Sequence, residues 1–398
     1  MRNLDGNQAP IREVIEAGLL AGAVTLVWQD GALLQHNAIG YRDVEARLPM
    51  QQDTIFRIAS MSKPITTAAA LCLLDEGAFT LADPVSRWLP ELADMRVLDD
   101  PAGPLEQTTP ARRLITVEDL MTQRSGLAYA FSVTGPISRA YLRLPARRDQ
   151  DTWLAELAKL PLVHQPGERL TYSHATEVLG IIVSRIEGKP LWQVLSQRIF
   201  EPLGMTDTGF CVAADARCRA ATMYTLDEDN RLRHDVMGPP RISAPEFCQG
   251  GGGLWSTAGD YLRFVQMLLR GGSPVLTAQS VRLMRTDRLT AAQKRIPFLG
   301  APYWVGRGFG LGLSVVTDPA KATPLFGPGG LGTFSWPGAY GTWWQADPTR
   351  DLILIYLVQN LPTLSADAAA AVSGNASQAK LMTALPKFVR RTYAALDR

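Results

Sequence analysis

Residues 58–67 read IASMSKPITT: two serines, a lysine and at once a proline, at the head of the apolar run AAALCLL (68–74). Proline inside a helix removes a backbone donor, but in the first turn that donor has no intrahelical partner. Pro64 therefore sets a helix start close to Ser60, and the alanines and leucines carry the helix to a stop near Gly77. Lys63 precedes the proline and is biased away from helical angles, so the surrounding fold must impose its geometry. Residues three apart on a helix are neighbours, with Cβ atoms roughly 5–6 Å apart, so Lys63 can reach the Ser60 hydroxyl. On these residues alone two readings stay open: a nucleophile with its activator, or a serine cap with a lysine in the first turn.

On the N-terminal side, Pro10 opens a helical pattern over residues 9–20, with Ile11, Val14, Ile15, Leu19 and Leu20 on one stripe. The runs AGAVTLVWQ (21–29) and ALLQHNAIG (32–40) flank Asp30-Gly31, a strong hairpin signal. From about 80 to 220 the periodicity is helical, as in VEDLMTQ (117–123), DTWLAELAKL (151–160), TEVLGIIVSRIEG (176–188) and PLWQVLSQRIF (190–200). Residues 101–110 read as a surface loop, and 222–248 as a lid or a solvated loop. Strand signals return in FGLGLSVV (309–316), TWWQAD (342–347) and DLILIYLVQN (351–360), and a helix over 376–395 closes the chain. Strands at both ends with helices between imply an α/β (α+β) architecture in which one sheet is assembled from distant segments. The expected division is a sheet domain of residues 1–79 and 222–398, a mainly helical domain of residues 80–221, and a site between them.

Composition excludes several classes. With 40 basic and 38 acidic residues, net charge +2, nothing suggests a nucleic-acid partner or an anionic membrane surface. The longest apolar strand, LILIYLV (352–358), is far short of the roughly 18 residues of a membrane span. The start MRNLDGNQAPIREVIEAG lacks the features of a secretory signal, so a cytoplasmic location is expected. Cys72, Cys211, Cys218 and Cys248 form no Cys-x-x-Cys and read as free thiols, with a Cys211–Cys218 pair as the alternative. The four histidines, His36, His164, His174 and His234, form no zinc motif, so no metal is expected, and no other cofactor either. Gly-x-Ser-x-Gly is absent, which removes the usual serine-hydrolase elbow. GGGGLW (250–255) lacks the ending of a phosphate loop and reads as a close backbone approach between sheet and helix.

Two further segments carry chemistry. LTYSH (170–174) stands just before a helix, and Tyr172 is either a proton carrier, if the Lys63 ammonium lies beside it and favours the phenolate, or a packing residue. FSWPGAYGTWW (334–344) follows a glycine-rich approach, with six glycines between 327 and 341. Pro337 within a strand argues for a sheet edge that could offer a backbone N–H to an oxyanion; a plain turn is the alternative.

Taken in order, Ser60-Met61-Ser62-Lys63, Tyr172-Ser173-His174 and Trp336-Pro337-Gly338 resemble the motifs of the serine-active β-lactamase-related family. The likeness extends through GYRDVEARLPMQQDTIFRIASMSKP (40–64), DLMTQRSGL (119–127), IFEPLGMTDTGF (199–210) and GGGLWSTAGD (251–260). The resemblance implies the fold of class C β-lactamases and D,D-peptidases: an antiparallel sheet flanked by helices, with a helical domain and the active site between the two. It implies Ser60 as the acylated nucleophile, Lys63 and Tyr172 as proton movers, and the backbone N–H groups of Ser60 and Ala339 as the oxyanion hole. Trp336, Gly338, Tyr129 and His174 would line the substrate site. β-Lactamases carry Lys-Thr-Gly at the third motif, whereas Trp336-Pro337-Gly338 is closest to the Trp-Gly-Gly form of family VIII carboxylesterases.

The leading expectation is therefore a carboxylesterase that cleaves small uncharged esters through an acyl-enzyme on Ser60. An acyltransferase, amidase or β-lactamase of the same fold is the related alternative, and a non-catalytic acyl-binding or sensor relative the more distant one. The expected partner is a small-molecule ester.

Overall fold

The computed structural model describes residues 4–145, 149–234, 237–322, 326–361 and 376–397. The main sheet contains β1 (Gly22–Gln29), β2 (Ala32–Asp43), β3 (Leu48–Pro49), β4 (Arg307–Phe309), β5 (Ser314–Val316), β6 (Phe334–Ser335), β7 (Trp343–Asp347) and β8 (Leu352–Val358). All pairs are antiparallel, in the order β4-β5-β6-β7-β8-β1-β2-β3. The two ends of the chain meet at its centre, where Ala23 lies opposite Val358 and Gln29 opposite Leu352. Asp30 and Gly31 turn the first hairpin with φ of 50° and 83°, the left-handed pair that matches the twist of the flanking strands.

The helices that matter for the site are α1 (Ala9–Glu16), α2 (Ser62–Asp75), α3 (Val117–Met121), α4 (Gly135–Leu142), α5 (Gln150–Ala158), α6 (Ala175–Glu187), α7 (Leu191–Leu195), α8 (Ala258–Leu269) and α9 (Ala376–Leu396). Side chains of β8 alternate between two layers. Ile353, Ile355 and Leu357 join Val24, Leu26, Trp28 and Trp344 on the face that meets α8. Leu352, Leu354, Tyr356 and Val358 join Ile11 and Val14 of α1 and Phe388 and Val389 of α9 on the other face. With both faces covered, β8 is apolar throughout rather than alternating.

Helix α2 is buried from Ser62 to Leu73 and packs on α6, itself buried from Ala175 to Ser184. Such a helix has no solvent face, which is why its sequence shows little amphipathic pattern. Local signals set several starts: Thr116 and Asp119 form a reciprocal capping box on α3, and the Asp149 carboxylate caps α5.

The helix starts close to Ser60, as Pro64 implied: Ser60 lies in a 3₁₀ turn, Ala59–Met61, that leads into the α-helix at Ser62. Three expectations need correction. Strand β6 is not an edge, because it pairs with both β5 and β7; Pro337 falls two residues beyond the last paired position and leaves no ladder bond unmade. The stretch 101–110 is not all loop, since Thr108–Pro110 pairs with Arg96–Leu98. Within 222–248, Tyr224–Leu226 pairs with Leu232–His234 and also with Asn360–Leu361. The sequence reading also passed over α4 and α8. The apolar stripe of α8 is preceded directly by the glycine cluster that drew the attention, and Thr257 caps the helix by accepting from Asp260 N–H.

Candidate active site

The turn that carries Ser60 is held from several sides. Strand Phe56–Arg57 pairs with Trp255–Ser256 and delivers the chain to Ala59, whose φ of 45° is uncommon for a residue with a Cβ. Tyr261 of α8 donates to the Met61 carbonyl at 3.0 Å, and Leu254 N–H donates to Ser62 Oγ at 3.2 Å. This separates the two serines of the motif: Ser62 is fully buried and holds the backbone, whereas Ser60 is partly exposed.

The turn after β6 is laid against the same segment. Gly338 N–H bonds the Thr342 carbonyl at 2.7 Å, and Thr342 Oγ1 donates to the Ile58 carbonyl at 3.3 Å. A Cβ on Gly338 would lie 2.5 Å from the Ile58 oxygen, so only glycine lets the two backbones come this close. Partly exposed Ala339 is thereby set beside the turn of Ser60.

Lys63 is only 1% exposed. Its Nζ donates to the Gly251 carbonyl at 2.7 Å and to the Tyr129 hydroxyl at 2.9 Å, and lies 4.8 Å from the centre of the Tyr172 ring. The glycine cluster is a close approach, but onto two helices rather than between sheet and helix. A Cβ on Gly250 would meet Thr66 of α2 at 2.9 Å and the Thr176 carbonyl of α6 at 3.0 Å, and one on Gly251 would meet the Glu177 carboxylate at 2.5 Å.

Tyr172 is buried among aromatic rings, with Tyr129, Phe298 and Trp336 at 5.2, 5.5 and 5.6 Å between centres. Its hydroxyl accepts from Trp336 Nε1–H at 3.2 Å. Trp336 itself is 1% exposed, enclosed by Phe309, Phe298 and Tyr303, and what it presents to the site is its N–H. His174 stands at the N-cap of α6, its ring packed on Tyr129, Trp153 and Tyr141, with Nδ1 3.8 Å from Glu177 Oε1.

Glu177 was missed by the sequence reading. It lies one turn into α6, is 4% exposed, and both carboxylate oxygens accept from the Tyr129 hydroxyl, at 2.8 and 3.0 Å. The available signal was a lone acid in the otherwise apolar and small-residue run ATEVLGIIV. Burial pushes this carboxyl up, but the Lys63 charge, His174 and the Tyr129 hydroxyl together outweigh it and hold it at about 2. Burial, reinforced by the Glu177 charge, pushes the Tyr129 phenol well above its ordinary value, so Tyr129 is a neutral hydroxyl linking Lys63 to Glu177.

Two cavities border these residues. One of about 410 Å³ is lined by Tyr172, Phe298, Leu170, Val133 and Arg169. The other, of about 370 Å³, is lined by Gly252, Trp255, Tyr340, Phe247 and Arg57. Residues 237–248 of the suspected lid supply part of the second wall, through Met237, Pro239, Arg241 and Phe247. Among the described residues no group of three or more His, Cys, Asp or Glu could hold a metal ion. His164, one turn of chain from Tyr172, is held down to about 4 by burial and bonds the Gln165 carbonyl and Thr171, a structural rather than a reactive setting. All four cysteines carry free thiols, and burial pushes those of Cys72 and Cys248 up to about 12. Among the described residues, no helix is long and apolar enough to cross a membrane.

An eight-stranded antiparallel sheet with helices packed on both faces is the β-lactamase fold. The chain belongs to the Beta-lactamase family, whose family model matches residues 9–376. It is 70% identical over 398 residues to Protein Rv1367c of Mycobacterium tuberculosis, covering 99% of both chains. It is 34% identical over 361 residues to Esterase EstB of Burkholderia gladioli, covering 85% of this chain and 86% of the relative. Among solved structures, EstCE1, a hydrolase with promiscuous acyltransferase activity, superposes with a TM-score of 0.78 at 27% identity, over 96% of this chain and 98% of the other. The protein is thus an enzyme of the β-lactamase-like hydrolase and acyltransferase family.

Proposed function

We propose that the chain is a carboxylesterase in which Ser60 is acylated by small uncharged esters. The observation that carries this reading is the placement of buried Lys63 against the Tyr172 ring, one helical turn from partly exposed Ser60, with the Trp336 N–H on the Tyr172 oxygen. Ser60 Oγ attacks the ester carbonyl carbon while its proton passes to Tyr172, which takes it up as the phenolate opposed by the Lys63 ammonium. The backbone N–H groups of Ser60 and Ala339 receive the oxyanion. As the tetrahedral intermediate collapses, the C–O bond to the alcohol breaks and the alcohol leaves with that proton. Water then repeats the sequence on the acyl-enzyme and releases the acid. The likeness to Esterase EstB supports hydrolysis of esters.

Acyl transfer is the second reading, and the pair of cavities favours it. One touches Tyr172 and the other touches Tyr340 next to Ala339, so an acyl group and an acceptor alcohol would each have a cavity next to a residue of the proposed site.

Substrate charge follows from the third motif. Where β-lactamases offer a lysine to the substrate carboxylate, this chain has Trp336, and losing a charge-assisted hydrogen bond costs roughly 1.5–3 kcal/mol, about 10- to 150-fold in affinity. The test is kcat/KM over p-nitrophenyl esters of increasing chain length, beside nitrocefin, with and without added alcohols. The best ester is expected to exceed nitrocefin by at least about 100-fold, with a p-nitrophenol burst equal to the enzyme concentration wherever deacylation is slower than acylation. Nitrocefin turned over as efficiently as the best ester would overturn the esterase reading.

A further inference from the structure

Lys63 is a cation removed from water, and its fixed partners are a backbone carbonyl and a phenol. Neither is an anion. The balancing charge lies one residue further, on Glu177, which receives the Tyr129 proton on both oxygens. The direction of the chain is set by chemistry. A phenol has one hydrogen; with Lys63 donating into the oxygen at 2.9 Å, that hydrogen must point to the carboxylate.

The surroundings are built around this arrangement. Glu177 stands in the first turn of the 13-residue α6, where the helix dipole favours an anion. Gly251 gives its carbonyl to Lys63 while its Cα rests on the carboxylate, a position any side chain would fill. The titratable groups facing this pair are Lys63 from α2, Tyr129 from the loop after α3, and Tyr172 and His174 from the segment entering α6. No described role in binding ester substrate uses Glu177.

We propose that Glu177 is a positioning residue for acylation, which through the Tyr129 hydroxyl orients and charge-balances Lys63 so that Lys63 supports Tyr172 as an ammonium and Tyr172, not Lys63, takes the Ser60 proton. The inference rests on the hydrolase reading above. It assigns the acid of α6 and the tyrosine after Ser125-Gly126-Leu127 to one relay, where the sequence alone offered Tyr129 only as a wall of the acyl pocket.

The experiment measures kcat/KM against pH for p-nitrophenyl butyrate with wild type, Glu177→Gln, Tyr129→Phe and the double variant. Thermal melting and the rate of Ser60 labelling by a fluorophosphonate are followed in parallel. Each single variant is expected to lose on the order of 10- to 100-fold, mainly in kcat, because a misplaced proton-transfer group costs that much. Removing the anion should also move the alkaline limb of the profile to lower pH. The double variant should fall no further than the worse single, since both break one chain. Unchanged rates and limbs, or losses that multiply, overturn the proposal. So does an acid limb moving to lower pH with increased activity there, which would make Lys63 the base. If Glu177→Gln does not melt cooperatively, Tyr129→Phe, which leaves the carboxylate in place, decides by its rate alone, and an unchanged kcat overturns the proposal. Wild type that neither hydrolyses the ester nor takes the label defeats the hydrolase reading itself, whereas active wild type with unaffected variants defeats only the relay.

Discussion

The layer between the sheet and helices α1 and α9 is held together differently from the interface of α2 and α6. In the first, Ile11, Val14, Leu352, Leu354, Phe388 and Val389 meet as apolar surfaces, and any well-filled arrangement of similar volume would serve. In the second, Lys63, Thr66, Thr176 and Glu177 are buried as deeply, but each has a polar partner in a fixed direction. Apolar burial is non-directional and tolerates small changes; a buried polar network is costly when one member is left unpaired. On the far side of the sheet the packing is mainly apolar, with the Tyr393 hydroxyl of α9, donating to Asp347 and accepting from Gln345, as its directional part, whereas around the candidate site directional bonds dominate.

That contrast predicts effects chiefly on rate at the site and effects on stability alone in the far layer. The largest effect belongs to Ser60→Ala. It removes the atom proposed to bond substrate and deletes little buried volume, so turnover should vanish while the melting temperature holds. Residual esterase activity above a few per cent, in material free of wild type, would remove Ser60 from the mechanism.

Tyr172→Phe comes next, with a loss in kcat on the order of 100-fold or more, the usual scale of general acid–base catalysis. It also strips the Trp336 N–H of its acceptor, so a modest fall in stability, about 1–3 kcal/mol, should accompany the rate effect. A kcat within threefold of wild type would return Tyr172 to the packing residues and blur the contrast between the two layers.

The smallest effect tests the other layer. Ile11→Val, at a fully buried position of α1, should cost about 0.5–1.5 kcal/mol in urea unfolding and leave kcat per folded molecule unchanged. A change in kcat comparable to that of Tyr172→Phe would show that the far layer is coupled to the site.

Much of the fold was legible because it rests on short-range rules. Asp30-Gly31 demands a hairpin, Pro64 demands a helix start, and the short continuous apolar run 352–358 has the length of a buried strand. The error at β6 arose because Pro337 was read as part of the strand, while the ladder ends at Ser335. The lysine and the tyrosine of the candidate site could be picked out from residue type and order, but their actual partners could not. Lys63 was expected to reach Ser60, yet its hydrogen bonds go to Tyr129 and Gly251.

The sequence by itself determined the family, the strands and helices that frame the cleft, and Ser60, Lys63 and Tyr172 as the residues to consider, since motif spacing and periodicity are properties of neighbouring positions. Only the tertiary structure decided that Trp336 lends its N–H to Tyr172 across 164 positions, and that Tyr129 carries the Lys63 charge to Glu177 across separations of 66 and 48. Those pairings arise where α2, α6 and the glycine backbone at 250–251 close on one another, and a hydrogen bond between buried groups depends on distance and direction, which no local pattern in the chain encodes.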